Sequence, residues 1–210
     1  MQLITFDEQL NSIVERWNLL RHPFYEAWLA GTLTRSDLCD YAIQYAHVVA
    51  AMPTWLQSTA ESHPSEREMF VSHAREEFQH IALWNEFAAA LGVSCTQIEG
   101  TLPNEATAAL LRQCKNAADS GSGAAVVWAL EVQAPEVSAE KLRGLAAHYE
   151  IEADSGAQYF ALHAELDKEH ERQLREFMQM QGPGYTLEAP AIAEAATKKL
   201  WNLLTSVHHV

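Results

Sequence analysis

Cysteine is scarce in this chain. Cys39, Cys95 and Cys114 are scattered and odd in number. They form neither a disulfide framework nor the spacing of a thiolate metal site, so free thiols in a reducing compartment are expected. Basic residues are also few: 14 Lys and Arg stand against 28 Asp and Glu, for a formal charge of −14. A surface of that sign does not suit a nucleic-acid backbone; a small-molecule substrate is the expected partner. Long apolar runs are missing as well. The longest, AAVVWAL at 124–130, falls far short of the ~20 residues that cross a membrane. The opening MQLITFDEQL has no basic stretch leading into an apolar one, so no signal peptide is expected, and the cytoplasm is the expected compartment. Sustained apolar–polar alternation, the mark of strands, is absent.

What the chain does have is helical periodicity nearly everywhere. Helices are expected over 6–20 and 22–31, the second ending at Gly31. Thr34 opens a long helix with Asp37 completing a capping box, and Pro53 lies inside it. Pro64 stands at a natural first helical position for a helix running to Gly92, and SCTQIEGTL reads as a connection. Pro103 begins the next helix, and DSGSG at 119–123 is the clearest break. An apolar helix then leads to Pro135, followed by EVSAEKLRGLAAHYEI. Asp154 caps a long helix to about Met180; QGPGYTLEAP is a loop, and Pro190 opens the last helix. With short connections, this is one all-α bundle over 1–210.

Several polar residues fall where that bundle needs a core. At 100° per residue, His163, Asp167 and His170 lie within an arc of about 60°, on a stripe continued by Tyr159, Phe160, Leu174 and Phe177. Buried His and Asp are costly unless paired or metal-bound; the plainer alternative is a half-exposed patch. In REEFQH, Glu77 and His80 have the i, i+3 spacing used inside di-iron bundles, and Glu76 could serve in place of Glu77. By itself that pair is a common surface accident. Glu131 is the only charged residue between Asp119 and Glu136, in a helix apolar on most sides. Pro135 has no donor for the Glu131 carbonyl, which loosens the helix beside the acid.

Together Glu77, His80, Glu131, His163, Asp167 and His170 make three imidazoles and three carboxylates, without thiolate. Nitrogen and oxygen donors suit iron or manganese. Six side chains are too many for one catalytic ion with open positions, and right for two. Two divalent cations bring +4 against −3, and relieve three acids that would otherwise repel one another.

On these residues, and on HPFYEAWLAGTLTRSDLCDYAIQYAHVVAAMPTWL, EEFQHIALWNEFAAALGV, EVQAPEVSAEKLRGL and YFALHAELDKEH, the chain resembles the haem-oxygenase-like di-iron oxidases, and among them the CADD-like group. That resemblance implies a haem-oxygenase-like bundle of seven to eight helices enclosing a metal-binding pocket. It implies two iron ions, or iron and manganese, with O2 as co-substrate, held by His80, Glu131, His163, Asp167 and His170. Because EEFQH is about a turn shorter than in the group, the first acid is open between Glu76 and Glu77, with Glu77 favoured for its i, i+3 spacing to His80. Members linked to p-aminobenzoate formation use their own tyrosine and a lysine, and Tyr25, Tyr41 and Lys141 match those positions, while Leu130 stands where such members carry tyrosine. His47 and His73 read as structural. The rivals are a TenA-like hydrolase, which needs a nucleophilic cysteine, a PqqC-like oxidase, and a non-enzymatic interaction protein. Monomer and homodimer are both open.

Overall fold

The computed structural model describes residues 4–209. Among them are ten α-helices and no strand: α1 Phe6–Arg16, α2 Pro23–Ala30, α3 Arg35–Ser62, α4 Arg67–Ala90, α5 Cys95–Gly100, α6 Glu105–Asp119, α7 Gly123–Glu131, α8 Ala134–Tyr149, α9 Gln158–Met180 and α10 Pro183–Ser206. The all-helical expectation holds. The count exceeds seven to eight partly because SCTQIEGTL is not a plain connection: Ser94 and Gln97 form a capping box that starts α5.

Local chemistry explains where the ends fall. The Thr34–Asp37 capping box opens α3 as expected, and Gly31 closes α2 in the left-handed conformation. The first helix stops at Arg16 instead of continuing to 20, because the Asn18 side chain accepts from the Leu20 amide and starts a separate 3₁₀ turn, Leu19–Arg21, a local bond that competes with the helix. Pro64 does not begin α4. It holds His63 out of helical geometry, as proline does to the residue before it, so Pro64 ends α3 and α4 starts at Arg67. Asp154 does not cap α9 either; it sits in a 3₁₀ turn, and α9 begins at Gln158 after Gly156. The expected 181–190 loop is largely helix. α10 starts at Pro183, whose fixed φ suits a first turn, and Pro190 lies buried inside it.

Three packing arrangements position the interior. α3 and α4 run antiparallel, with Arg35 donating to the Leu91 carbonyl and Trp84 Nε1 donating to that of Ala42. α4 and α9 also run antiparallel: the rings of His73 and His170 are 3.7 Å apart, and those of His80 and His163 are 4.6 Å apart. α7 packs against α3, α6, α9 and α10, and all nine of its residues are buried, as a helix apolar on all sides up to Glu131 requires.

α8 approaches α2 closely because Gly144 has no side chain. A Cβ there would stand 2.5 Å from Cδ1 of Trp28, and Trp28 is fully buried. The same contact lets Trp28 Nε1 donate to the Lys141 carbonyl at 3.3 Å. Gly144→Val is expected to destabilise the protein by about 1–3 kcal/mol through overpacking, read as a lower midpoint in urea; an unchanged midpoint would show that α8 can shift freely.

Candidate metal centre

The six acids and histidines singled out in the sequence converge. Glu77 and His80 come from α4, Glu131 from the C-terminal end of α7, and His163, Asp167 and His170 from α9. All six are buried. His73, read from sequence as structural, joins them: its Nε2 lies 2.9 Å from Glu131 Oε1 and 4.0 Å from Glu77 Oε1. The donors form two clusters. One holds His73, Glu77, Glu131 and His170; the other holds Glu77, His80 and His163. Glu77 belongs to both.

A sequence signal for His73 existed. His73, Glu77 and His80 repeat the spacing of His163, Asp167 and His170. Because α4 and α9 are antiparallel, the first histidine of each motif faces the last of the other. Each cluster therefore takes one imidazole from each helix, with Glu77 and Asp167 at the middle of their motifs.

Glu76 and Glu77 occupy different places. Glu77 is buried and accepts from His80 Nδ1 at 3.0 Å. Glu76 has a side chain 39% exposed and accepts from His170 Nε2 at 3.2 Å. With that nitrogen occupied, His170 presents Nδ1 inward, 3.8 Å from Asp167 Oδ1. His163 is oriented in the same manner: Nδ1 donates to the Tyr159 carbonyl at 2.7 Å, which leaves Nε2 as the bare nitrogen. An imidazole whose outer N–H is held by an oxygen is the usual arrangement of a metal-ligating histidine.

The electrostatics are those of acids crowded in a dry place. Burial, then the charges of Glu131 and Glu77, push the Asp167 carboxyl well above its usual range. Glu131 is pushed up likewise by burial and by Glu77. Burial opposes ionisation of Glu77 too, but the His80 hydrogen bond and the nearby His163 bring it below the usual value. Burial lowers His163 to about 4 and lowers His73 as well, so both are neutral, the form that can ligate. Five buried atoms here have no hydrogen-bond partner: Glu131 Oε2, His163 Nε2, both Asp167 oxygens and His170 Nδ1. Each such orphan costs about 1–3 kcal/mol. Divalent ions among them would supply the missing partners, and an all nitrogen-and-oxygen donor set fits iron or manganese.

Beside the acids lies a cavity of about 40 Å³ lined by Glu77, Glu131, His163 and Asp167 on one side and by Tyr25, Tyr45, Tyr159 and Lys141 on the other. Lys141 is buried. It donates to the Tyr41 hydroxyl at 2.6 Å and lies 5.4 Å from the Tyr25 ring centre. Burial lowers its amine to about 7. Tyr25 and Tyr41, both buried, are thus brought together with Lys141, and Leu130 also lines the cavity. Tyr45 and Tyr159 were not singled out in the sequence. Tyr159 stacks on His163 at 3.9 Å, Trp84 lies 4.9 Å from Tyr159 and 5.0 Å from Tyr45, and Tyr45 lies 5.5 Å from Tyr41. His47 is apart from this group, bonded to the Thr101 carbonyl.

Comparison with known proteins agrees with the fold and narrows the chemistry. A family model described as an iron-containing redox enzyme matches residues 39–202. A protein of Nitrosomonas europaea named 4-aminobenzoate synthase is 33% identical over 97% of this chain and 91% of its own length. One of the same name from Chlamydia muridarum is 31% identical over 97% and 90%. Among solved structures, a TenA homologue from Pseudomonas syringae superimposes with a TM-score of 0.82 at 17% identity, covering 97% of this chain and 92% of that one. A CADD-like protein from Nostoc punctiforme gives 0.71 at 16% identity, covering 95% and 96%. With a further neighbour described as haem-oxygenase-like, at a TM-score of 0.82, 16% identity and coverage of 98% and 93%, the fold is haem-oxygenase-like. No helix among the described residues is long and apolar enough to cross a membrane.

Proposed function

We propose that this chain, which belongs to the family of iron-containing redox enzymes and is an oxidoreductase, is a dinuclear-metal oxidase that forms 4-aminobenzoate from one of its own tyrosines. The observation that carries the metal reading is Glu77, a buried carboxylate common to two donor clusters. His73, Glu77, Glu131 and His170 would hold one ion, and Glu77, His80 and His163 the other, with Asp167 offering two further unpartnered oxygens. The pair is Fe/Fe or Fe/Mn, and when bound it supplies the reduction of O2 and the oxidising power.

The remaining chemistry belongs to the chain. Glu76 and the Tyr159 carbonyl orient His170 and His163. The aromatic wall keeps bulk water from the site, which strengthens every charge interaction inside. Lys141, held near neutrality, keeps a share of its amine uncharged at physiological pH and places it against the Tyr41 hydroxyl. Burial keeps the Tyr41 and Tyr25 hydroxyls protonated by raising both well above the usual value. Space favours a substrate that is part of the protein. A cavity of about 40 Å³ admits water or dioxygen, whereas metabolite pockets run to roughly 300–1,000 Å³. Cys114 counts against a TenA-like hydrolysis: it is fully buried, its thiol is pushed up by burial, and it does not line the cavity.

The test is to load purified protein with Fe(II) and Mn(II), admit O2 with a reductant, and follow both product and intact mass. The expected result is 4-aminobenzoate in at most one equivalent per chain, its ring from Tyr25 or Tyr41 and its amino nitrogen from Lys141, with matching mass changes at those residues. Product exceeding the protein when a candidate metabolite is also supplied, with the protein's mass unchanged, would mean that the metabolite is the substrate.

A further inference from the structure

The outer face of the metal centre is not closed by apolar packing. A groove between α4 and α9 is lined by Glu68, Ser72 and Glu76 on one helix and by Glu169 and Gln173 on the other, with Met69 and Leu166 beside them. Its floor is His73 and His170, the two histidines of the first donor cluster. No lysine or arginine lines it; Arg172 is held to Glu169 and Glu176. The opposite side of the centre meets the tyrosine cavity.

We infer that this groove is the entrance for divalent metal ions, with Glu76 as the transfer ligand between solvent and the first cluster. This rests on the dinuclear-metal reading above. Two independent observations support it. The first is charge: with Glu169 paired to Arg172, Glu68 and Glu76 at a concave mouth that no lysine or arginine lines concentrate cations and steer them inward. The second is His170. It is more than nine-tenths buried, bonded on its outer nitrogen to the half-exposed Glu76, and without a partner on its inner one. Among the described residues, Glu76 is therefore the one acid that both meets solvent and hydrogen-bonds a residue of the buried donor set. An ion taken by Glu76 needs a rotation of that side chain to reach the first cluster. The second cluster lies beyond Glu77, so the position of His73 and His170 fills first.

The measurement is the rate of Mn(II) uptake by chelator-treated protein under argon, followed by loss of the free-ion EPR signal, with final stoichiometry and melting temperature recorded beside it. Ser72→Trp, at an exposed position on the groove wall, is expected to slow uptake about tenfold or more while leaving final occupancy and melting unchanged. The double variant Glu68→Gln/Glu76→Gln is expected to slow it about tenfold and to weaken its dependence on salt. Wild-type rates in both variants would overturn the entrance and leave the metal centre standing. Wild-type protein that takes up neither Mn(II) nor Fe(II) would overturn the metal centre and the entrance with it.

Discussion

Glu77→Gln is expected to abolish metal retention at both positions, while His80→Ala leaves one. Elemental analysis of protein purified from iron- and manganese-supplemented cells should fall from about two ions per chain to near none in the first variant, and to about one in the second. The difference follows from geometry. Glu77 is in both donor clusters, whereas His80 is in only one. Glutamine can still accept the His80 Nδ1 proton, so the contact at 3.0 Å survives and only the charge is lost. Stability should fall with or without metal, and further with it. In a chelator, loss of the Glu77 charge forfeits the attraction of His80 and His163 that holds its carboxyl below the usual value, only partly offset by relief of Asp167 and Glu131, so the variant melts somewhat lower than wild type. With Fe(II) at a hundredfold excess over its dissociation constant, wild type gains about 2.7 kcal/mol by mass action, and the variant gains little. Two ions retained by Glu77→Gln would sink the shared-donor reading.

Much of this centre was legible because buried charge is conspicuous. Glu131 stands alone in an apolar helix, and His163, Asp167 and His170 interrupt an apolar seam, so each posed the question of what balanced it. Less legible was anything that depends on how two helices meet. His73 shares a face with Glu77 and His80, yet without α9 opposite it the residue reads as a core histidine. Only the antiparallel α4–α9 pairing sets it against His170. Glu76 and Glu77 are adjacent in sequence and differ in role because about 100° of helix rotation turns one to the groove and the other inward. Lys141 could pass for a surface lysine in AEKLRGL; the Gly144–Trp28 contact that draws α8 inward is a tertiary fact. The helix ends that sequence misplaced, at Pro64, Asp154 and Pro190, share a cause. Proline and aspartate each have several allowed positions around a helix terminus, and packing selects among them.

Lys141→Met is expected to stabilise the protein and to end its chemistry. Lys141 has no carboxylate partner among the described residues; its contacts include the Tyr41 hydroxyl and the faces of Tyr25, Tyr41, Tyr45 and Phe160. Burial lowers its amine from 10.5 in an exposed lysine to about 7. The folded chain therefore binds fewer protons than the unfolded chain between those values, and stability rises with pH across that window. Below about pH 7 the burial penalty is in full force. Methionine removes it, so the gain is largest at pH 7 and below, on the order of a few kcal/mol, and it shrinks as pH climbs toward 10.5. Melting curves of both proteins at pH 6 and pH 9 check this; a gain that is the same at both would mean that Lys141 is not held near neutrality. Lys141→Arg separates charge from position. A guanidinium cannot give up its proton in this pocket, so that variant should melt lower than wild type chiefly at pH 9, where the lysine is neutral, with a smaller difference at pH 6, where both side chains are charged, and it should form no product. The structure retains a destabilising amine where methionine would pack better, and the function proposed for it is the reason: only lysine sets an uncharged nitrogen 2.6 Å from the Tyr41 oxygen at neutral pH.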